Sequence, residues 1–308
     1  MTSTGWGDVS ARARGLSTRL LGGARLRDLA GAADVRSLAD ALARAAPEIA
    51  AGDPPSPLGI ELATRREAQS RLAILMRWCG ERVEILRPVF DAEDHRSIRA
   101  ALRGAAAGIA PEERRAGLIA TPALGDQALD ELCRQPTPVA VAALLAAWEH
   151  PLAGAILAEA RREQPDLYVL ERALDTAYAE RETSAAKRGD RALKDLIKIS
   201  SLSQRAFTAL LAKDPEKELA PLRTEMPGTP LSRAIAKGVP TADAIERASL
   251  LTLLKTQRMN ARREPLGLGP VLYFLARLRA ELRDLTRIAW GISIDAPRAV
   301  IAGGVISP

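Results

Sequence analysis

Apolar residues recur at intervals of three and four along nearly the whole chain, which is the spacing of one face of an α-helix. The clearest case is a long helix predicted over about 271–290. Its apolar stripe consists of Leu275, Leu278, Leu282, Leu285 and Ala289, beside a polar face with Arg279, Arg283 and Arg287. Runs of β-branched or aromatic residues that alternate with polar ones are nearly absent. The pattern therefore predicts an all-α protein.

Prolines that follow a capping residue mark several predicted helix starts. A Thr or Asp side chain can accept a hydrogen bond from the first helical turn, and a proline at the first helical position loses no hydrogen bond. The pairs are Thr121-Pro122, Thr137-Pro138, Asp214-Pro215 and Thr229-Pro230. Between such points the pattern predicts about a dozen helices.

The longest predicted helices cover about 59–78, 167–181, 192–211, 242–258 and 271–290. Within the last of them, the spacings of Asp284 with Arg287 and of Arg277 with Glu281 predict ion pairs on the helix surface. Two shorter helices are predicted over 81–89 and 94–103, with Asp91 or Asp94 capping the second.

Three segments in or at the ends of the predicted helices indicate an internal repeat. The segments cover 94–104, 202–212 and 281–291. Aligned on Ile98, Ala206 and Leu285, they share apolar residues at these anchors and four positions later. A chain of 308 residues is long enough for about two domains or for one body of repeated units.

The net charge of +6 and the isoelectric point near 9.7 raise the question of nucleic-acid binding. Lysine is absent before Lys187, so the positive charge comes from arginines that are spread along the chain among acidic residues. No aromatic residue stands in a basic run of the kind that stacks on bases. These features disfavour direct nucleic-acid binding, which stays open as an alternative.

Residue patterns of catalytic and metal sites are missing from the sequence. It contains no phosphate-binding loop, no Gly-x-Ser-x-Gly elbow and no histidine cluster. We interpret His95 and His150 as solvent-facing or capping residues, and Asp91, Glu93 and Asp94 as capping and solvated carboxylates. The sequence therefore predicts no catalytic residue, no cofactor and no metal, although carboxylates that are distant in sequence could still pair in an enzyme site.

Cysteine usage and hydropathy indicate a cytosolic protein. Cys79 and Cys133 lie far apart without a Cys-x-x-Cys motif, so we expect buried structural thiols. The longest stretch without a charged residue, Gln135 to Trp148, has 14 residues, fewer than the roughly 20 that a membrane-spanning helix needs. The N-terminal region meets Arg12 and Arg14 before any apolar run and does not read as a secretory signal.

The C-terminal third carries a family resemblance. Arg263 to Ile301, REPLGLGPVLYFLARLRAELRDLTRIAWGISIDAPRAVI, resembles the end of the central-stalk C subunit of prokaryotic V/A-type rotary ATPases, whose eukaryotic counterpart is the d subunit of the vacuolar enzyme. In that family a loop with Pro and Gly leads to a helix with Glu, Arg and Asn or Asp ahead of a Leu.

Other segments agree with the same family in order. Residues 6–22, WGDVSARARGLSTRLLG, resemble its opening helix, with Arg14 in the arginine position. The further similar segments are 91–104 in the first domain, 149–157 and 170–180 in the middle domain, and 225–235 in the third. Two positions depart from the pattern, because Ser97 replaces the usual Asn and Leu202 occupies the place of an Asp.

The resemblance implies an all-α funnel of three similar helical domains with pseudo-threefold symmetry, which we place at residues 1–109, 110–213 and 214–308. It implies a non-catalytic rotor subunit, present once per complex and peripheral to the membrane on the cytoplasmic face. The partners would be the proteolipid ring and the central-stalk subunits D and F, with the membrane stator subunit as a further candidate.

Arg12, Arg14 and Arg19 of the opening helix are the candidate partner contacts, although a salt-bridged surface would explain them equally well. Without the resemblance, the sequence supports only an arginine-rich helical scaffold.

Overall fold

The computed structural model describes residues 5–49, 52, 54–162, 166–210 and 212–308. These residues form α-helices and two short 3-10 helices and contain no β-strand, which confirms the all-α prediction. The α-helices are α1 (Gly7–Ser17), α2 (Gly23–Leu29), α3 (Val35–Ala45), α4 (Pro57–Cys79), α5 (Arg87–Ala106), α6 (Pro111–Arg115), α7 (Asp126–Cys133), α8 (Pro138–Ala147), α9 (Ala153–Ala160), α10 (Leu167–Arg188), α11 (Arg191–Leu210), α12 (Pro215–Leu219), α13 (Pro230–Ala236), α14 (Ala242–Arg263), α15 (Gly269–Ser293) and α16 (Arg298–Gly303). The 3-10 helices are Gly80–Leu86 and Ala220–Thr224.

The chain forms two compact units. The first contains residues 1–80 and 186–308, and the second contains residues 81–185. The first unit is therefore built from both ends of the chain. The division into domains 1–109, 110–213 and 214–308 stays a prediction.

Helix α15 is the central helix of the first unit, where it packs against α1, α4 and α14. The predicted stripe is only part of its buried surface: Leu278, Leu285 and Ala289 are buried, whereas Leu275 and Leu282 are half-buried. Further buried residues lie outside the stripe, and they include Phe274, Ala276, Ala280, Glu281, Asp284 and Ile288. Neighbours on several sides thus cover a helix whose sequence predicted a single buried face.

The second unit encloses its own hydrophobic core. Ile98 and Leu102 of α5 belong to one core with buried side chains of α7, α8 and α9, such as Leu129, Leu145 and Ile156. Leu174 of α10 belongs to the same core and is fully buried.

The three anchors of the predicted repeat are all core residues. Ile98, Ala206 and Leu285 are each fully buried, and each belongs to a different hydrophobic core. Any apolar stripe of a packed helix would be buried in this way, so the internal repeat stays a prediction.

Most of the predicted helix starts are confirmed. Thr137, Asp214 and Thr229 each accept a hydrogen bond from a backbone N–H of the first turn, and proline follows each of them. The prediction for Thr121 is wrong, since the next helix begins only at Asp126. The Thr121 hydroxyl instead accepts the N–H of Leu124 and stabilises a turn.

The predicted break between 89 and 94 is also wrong. Helix α5 runs continuously from Arg87 to Ala106, so Asp91 and Asp94 lie inside it and cap nothing. Both are buried, and both have partners within the second unit, described below. The short helix α16 was not predicted from the sequence.

Gly269 allows the start of α15 to approach the end of α14 closely. A Cβ atom at Gly269 would lie 2.7 Å from backbone atoms of Asn260 and Ala261, which cannot move independently of α14. We therefore expect Gly269→Ala to lower the free energy of unfolding by about 1–3 kcal/mol, measured by urea denaturation.

The matched control for this substitution is Gly15→Ala. Gly15 lies in α1 of the same unit and would place its Cβ in open space. It should leave stability unchanged or raise it by roughly 0.5–1 kcal/mol through helix propensity. Equal effects of the two substitutions would contradict the close approach at Gly269.

Candidate partner interface

The three arginines predicted as partner contacts lie in different environments. The Arg12 guanidinium lies over the Trp78 ring, 5.6 Å from its centroid, and the side chain is half-buried. Arg14 is exposed and donates a hydrogen bond to the Pro265 carbonyl. Arg19 is exposed and follows the end of α1 at Ser17. Arg12 therefore has a packing role, and only Arg14 and Arg19 are displayed on the surface.

Helix α1 is tied to the loop between α14 and α15 by two hydrogen bonds. The Ser10 hydroxyl donates to the Gly267 carbonyl over 2.6 Å, and Ser10 is fully buried. The bond from Arg14 to Pro265 lies one helical turn further along α1. The position of Arg14 relative to α14 and α15 is thus set by side-chain hydrogen bonds from α1 to backbone carbonyls of the connecting loop.

An open pocket of about 800 Å³ lies beside Arg14 in the first unit. Residues around α1, α14, α15 and the connecting loop line it, and four of them are arginines: Arg14, Arg258, Arg262 and Arg277. None of its eleven lining residues is acidic. Acidic and basic residues alternate along the sequence, but the charged residues that line this pocket are all basic.

Three of these arginines were missed in the sequence. Arg258 and Arg262 are one helical turn apart on α14, and no Asp or Glu stands three or four residues from either of them. Such an uncompensated pair was a usable signal, because like charges at this spacing destabilise a helix. Arg277 had no comparable signal, since Glu281 stands four residues after it.

A buried ionic cluster lies elsewhere in the first unit. The Arg71 side chain is 2% exposed, and its three nitrogens contact three carboxylates, those of Glu48, Glu67 and Glu281, at 2.7–2.8 Å. Glu281 also accepts the backbone N–H of Leu21. Burial raises the pKa of Glu281, while the charge of Arg71 and the hydrogen bond from Leu21 oppose the rise. This cluster joins α4 to α15.

The C-terminal residues are fixed by a second buried carboxylate. Asp284 is fully buried and accepts the backbone N–H groups of Ile306 and Ser307 at 2.8–3.2 Å. Its nearest cation is Arg283, at 3.6 Å, whereas Arg287 approaches Asp243 at 3.7 Å. The predicted surface pair of Asp284 and Arg287 is therefore wrong.

In the second unit, buried polar groups join α5 to the loops before α7 and α9. The Thr121 hydroxyl donates to Asp94, which is 1% exposed, and His150 Nε2 lies 3.5 Å from the same carboxylate. His150 Nδ1 accepts the backbone N–H of Leu152. His150 thus stabilises the turn before α9 and caps no helix, and it is buried, so the interpretation of this residue as solvent-facing or capping is wrong.

Charged side chains of α5 and α10 form a second polar set in the same unit. His95 Nε2 lies 2.6 Å from Asp175, which also contacts Arg99. Asp91 pairs with Arg181 at 2.9 Å, and burial raises the Asp91 pKa against the effect of that arginine. His95 is buried, so the interpretation of this residue as solvent-facing or capping is wrong. Asp91 and Asp175 are each paired with an arginine, so we interpret them as structural ion pairs between α5 and α10.

Metal-binding, membrane-spanning and disulfide features can be assigned over residues 5–49, 52, 54–162, 166–210 and 212–308. Within these ranges, no three His, Cys, Asp or Glu side chains come together as a metal site. Every helix there falls short of the length and apolarity that crossing a bilayer requires. Cys79 and Cys133 are buried and form no disulfide, as predicted, and burial raises the pKa of the Cys133 thiol.

Comparison with known proteins decides the family. A sequence model of the ATP synthase (C/AC39) subunit matches residues 9–198, which is more than half of the chain. The chain belongs to the ATP synthase (C/AC39) subunit family. A search of curated proteins found no match.

The family match confirms the resemblance to the central-stalk C subunit of V/A-type ATPases. The C/AC39 subunit is a structural subunit of the ATPase complex and not the catalytic one. The matched residues include the whole second unit and part of the first. They end before Arg263, so the resemblance of the segment from Arg263 to Ile301 stays a prediction.

Proposed function

We propose that this C/AC39 subunit is a non-catalytic rotor part of a V/A-type rotary ATPase. In this role it is a socket that links the central shaft, formed by subunits D and F, to the membrane proteolipid ring. The single observation that carries the proposal is the family match over residues 9–198.

The structure supports a mechanical role through the way its polar groups are used. Arg71, Asp94 and Asp284 are buried, and each contacts groups on a different helix or loop. Such contacts fix helices relative to each other, because separating them would leave buried charges or hydrogen-bonding groups unpaired. A subunit that transmits torque needs this resistance to shear between helices.

In the proposed complex, rotation couples ATP hydrolysis or synthesis to the transport of H⁺ or Na⁺. One copy of the subunit lies on the cytoplasmic face of the membrane, with three domains arranged as a funnel around the foot of the shaft. The membrane stator subunit is a further candidate neighbour. Arg12, Arg14 and Arg19 remain the proposed partner contacts. Arg12 is half-buried against Trp78 and Arg14 is hydrogen-bonded to Pro265, whereas Arg19 is exposed and makes no such contact, so it is the arginine to test.

The proposal is tested by purifying the tagged chain from its own membranes in detergent, at low and moderate salt. Mass spectrometry should identify a small proteolipid together with subunits D and F. Recovery of nucleic acid, or of the chain without these proteins, would contradict the rotor assignment.

Charge reversal at Arg19 tests the proposed contact. We expect Arg19→Glu to weaken recovery of the shaft or ring subunits about tenfold or more, since like charges at an interface cost over about 1.4 kcal/mol. The effect should diminish at higher salt because the site is exposed.

Arg233→Glu is the matched control for this prediction. Arg233 is an exposed arginine on α13, outside the proposed contact set. Recovery of the partners should be within twofold of that for the unmodified chain. If both variants lose the partners equally, the loss reflects net charge and the assignment of Arg19 as a contact is wrong.

A further inference from the structure

We propose that the pocket lined by Arg14, Arg258, Arg262 and Arg277 is a binding site for an oligophosphate group. This inference is independent of the proposed rotor function, because the pocket and its charge are properties of the first unit alone. We refer to these residues as the arginine pocket.

The volume of the arginine pocket suits a small ligand. About 800 Å³ lies within the roughly 300–1,000 Å³ that small-molecule sites occupy. The walls also contain hydroxyl groups of Ser17 and Thr18 and the ring of Tyr273, so charged, polar and aromatic groups converge on one space.

The positive charge of the arginine pocket is uncompensated by its lining. Across the part of the chain that the structure describes, none of the four guanidinium groups forms a salt bridge, so the predicted Arg277–Glu281 ion pair is not formed, although the charge of Arg277 still lowers the pKa of Glu281. Elsewhere in the same protein, arginines such as Arg71, Arg99 and Arg181 contact carboxylates at close range. Four like charges around one cavity repel one another, and a multiply charged anion would remove that cost.

Arg277 has an unused hydrogen-bond donor. Its Nε is buried and has no acceptor among the described residues, and its guanidinium lies 6.0 Å from the centroid of the Tyr273 ring. This Nε is closed off from the pocket, so an anion there would contact the other parts of the Arg277 side chain, which line the pocket.

The backbone around the arginine pocket and the Arg14 side chain are held in place by contacts within the first unit. Arg14 is positioned by the Pro265 carbonyl, and Ser10 ties the same helix to Gly267. Gly269 brings the start of α15 against the end of α14. A preformed arrangement of charges reduces the ordering cost of binding.

The chemistry of the lining favours an oligophosphate over a carboxylate. The planar guanidinium group presents paired N–H donors that match the oxygens of either group. A single carboxylate carries one charge and can neutralise only one of four arginines. An oligophosphate carries several charges within a few ångströms, so it can contact arginines of α1, α14 and α15 simultaneously.

Isothermal titration calorimetry with tripolyphosphate tests the proposal, at fixed ionic strength and with chelator present. We expect saturable binding to the full chain with one site, weaker binding of pyrophosphate and still weaker binding of phosphate. Since ionic contacts release counterions, the dissociation constant should rise steeply with salt. Absence of saturable tripolyphosphate binding would overturn the proposal.

Variants place the binding in the arginine pocket. Arg258→Gln combined with Arg262→Gln should weaken tripolyphosphate binding about tenfold or more, the factor that a loss of about 1.4 kcal/mol produces. The single variant Arg262→Gln should also weaken tripolyphosphate binding, and Arg263→Gln is its control. Arg263 is the neighbouring exposed arginine of α14 and does not line the pocket, so Arg263→Gln should change binding less than twofold. Equal losses in Arg262→Gln and Arg263→Gln would overturn the assignment.

Two further titrations identify the source and exclude the main competitor. ATP without Mg²⁺ that binds as tightly as tripolyphosphate indicates recognition of phosphates alone, and tighter binding of ATP indicates that a nucleotide supplies the group. A hexaglutamate peptide should bind at least tenfold more weakly than tripolyphosphate. If it binds as tightly, the pocket is a site for an acidic protein segment and the oligophosphate proposal is wrong.

The assays separate this site from the rotor assignment. Arg258 and Arg262 are not among the proposed partner contacts, so their variants should still recover the proteolipid and subunits D and F. Arg14 belongs to both sets, so the test uses only Arg258 and Arg262, and loss of tripolyphosphate binding with normal partner recovery supports an oligophosphate site whose failure is separable from that of the rotor assignment.

Discussion

Replacing Arg71 with Met is expected to lower the free energy of unfolding by about 3–5 kcal/mol, as measured by urea denaturation at neutral pH. The substitution keeps a long side chain but leaves the carboxylates of Glu48, Glu67 and Glu281 without their common cation. Glu281 is 3% exposed, so water cannot replace the lost contact. Glu281→Gln should cost less, about 1.5–3 kcal/mol, because Arg71 keeps two of its three partners.

The loss in Arg71→Met should depend on pH. Burial raises the pKa of Glu281, and without Arg71 the pKa should rise further. A carboxyl whose pKa is higher in the folded state than in the unfolded state binds protons preferentially when folded, so lowering the pH stabilises the folded form. The difference in stability between Arg71→Met and the unmodified chain should therefore be smaller at about pH 5.5 than at about pH 7.5.

Arg66→Met is the matched control for Arg71→Met. Arg66 is exposed on the same helix, α4, so we expect a change within about 0.5 kcal/mol. A similarly small effect of Arg71→Met, or a loss that grows as the pH falls, would contradict the role of Arg71 as the compensating charge.

Replacing Asp284 with Ala is expected to cost about 3 kcal/mol of unfolding free energy, because two buried backbone N–H groups lose their acceptor. These N–H groups belong to Ile306 and Ser307, so the substitution should also loosen the C-terminal residues. Hydrogen–deuterium exchange of both amides should accelerate strongly, while amides in the core of the second unit keep their protection.

Asp284→Asn provides the comparison for this prediction. Its amide oxygen can still accept one hydrogen bond, so we expect about half of the destabilisation and a smaller rise in exchange. Unchanged protection of Ile306 and Ser307 in Asp284→Ala would show that other contacts, such as the packing of the buried Val305 side chain, hold the C-terminus.

The helical fold was largely predictable because helices depend on local information. The periodicity of apolar residues located the long helices, and the local hydrogen bonds of Thr137, Asp214 and Thr229 located three starts. Thr121 shows the limit of this approach. A threonine before proline is compatible with both a helix cap and a turn, and its contact with Asp94, 27 residues away, favours the turn.

The candidate interface was predictable only in part. Arg14 was singled out through the family resemblance, whereas Arg258, Arg262 and Arg277 join it through the packing of three helices. The charge of a pocket depends on which side chains converge in space. The numbers of acidic and basic residues along the sequence do not show which of them lie around the same pocket.

The sequence by itself determined the fold class, the approximate course of the helices and membership of the C/AC39 family. Only the tertiary structure decided which polar residues are buried. Glu281 meets Arg71 across 210 residues of sequence, and Asp284 turns from a predicted surface residue into the acceptor for the C-terminal amides. The physical reason is that helical periodicity specifies one apolar stripe, whereas burial of the other faces depends on neighbours that are distant in the sequence.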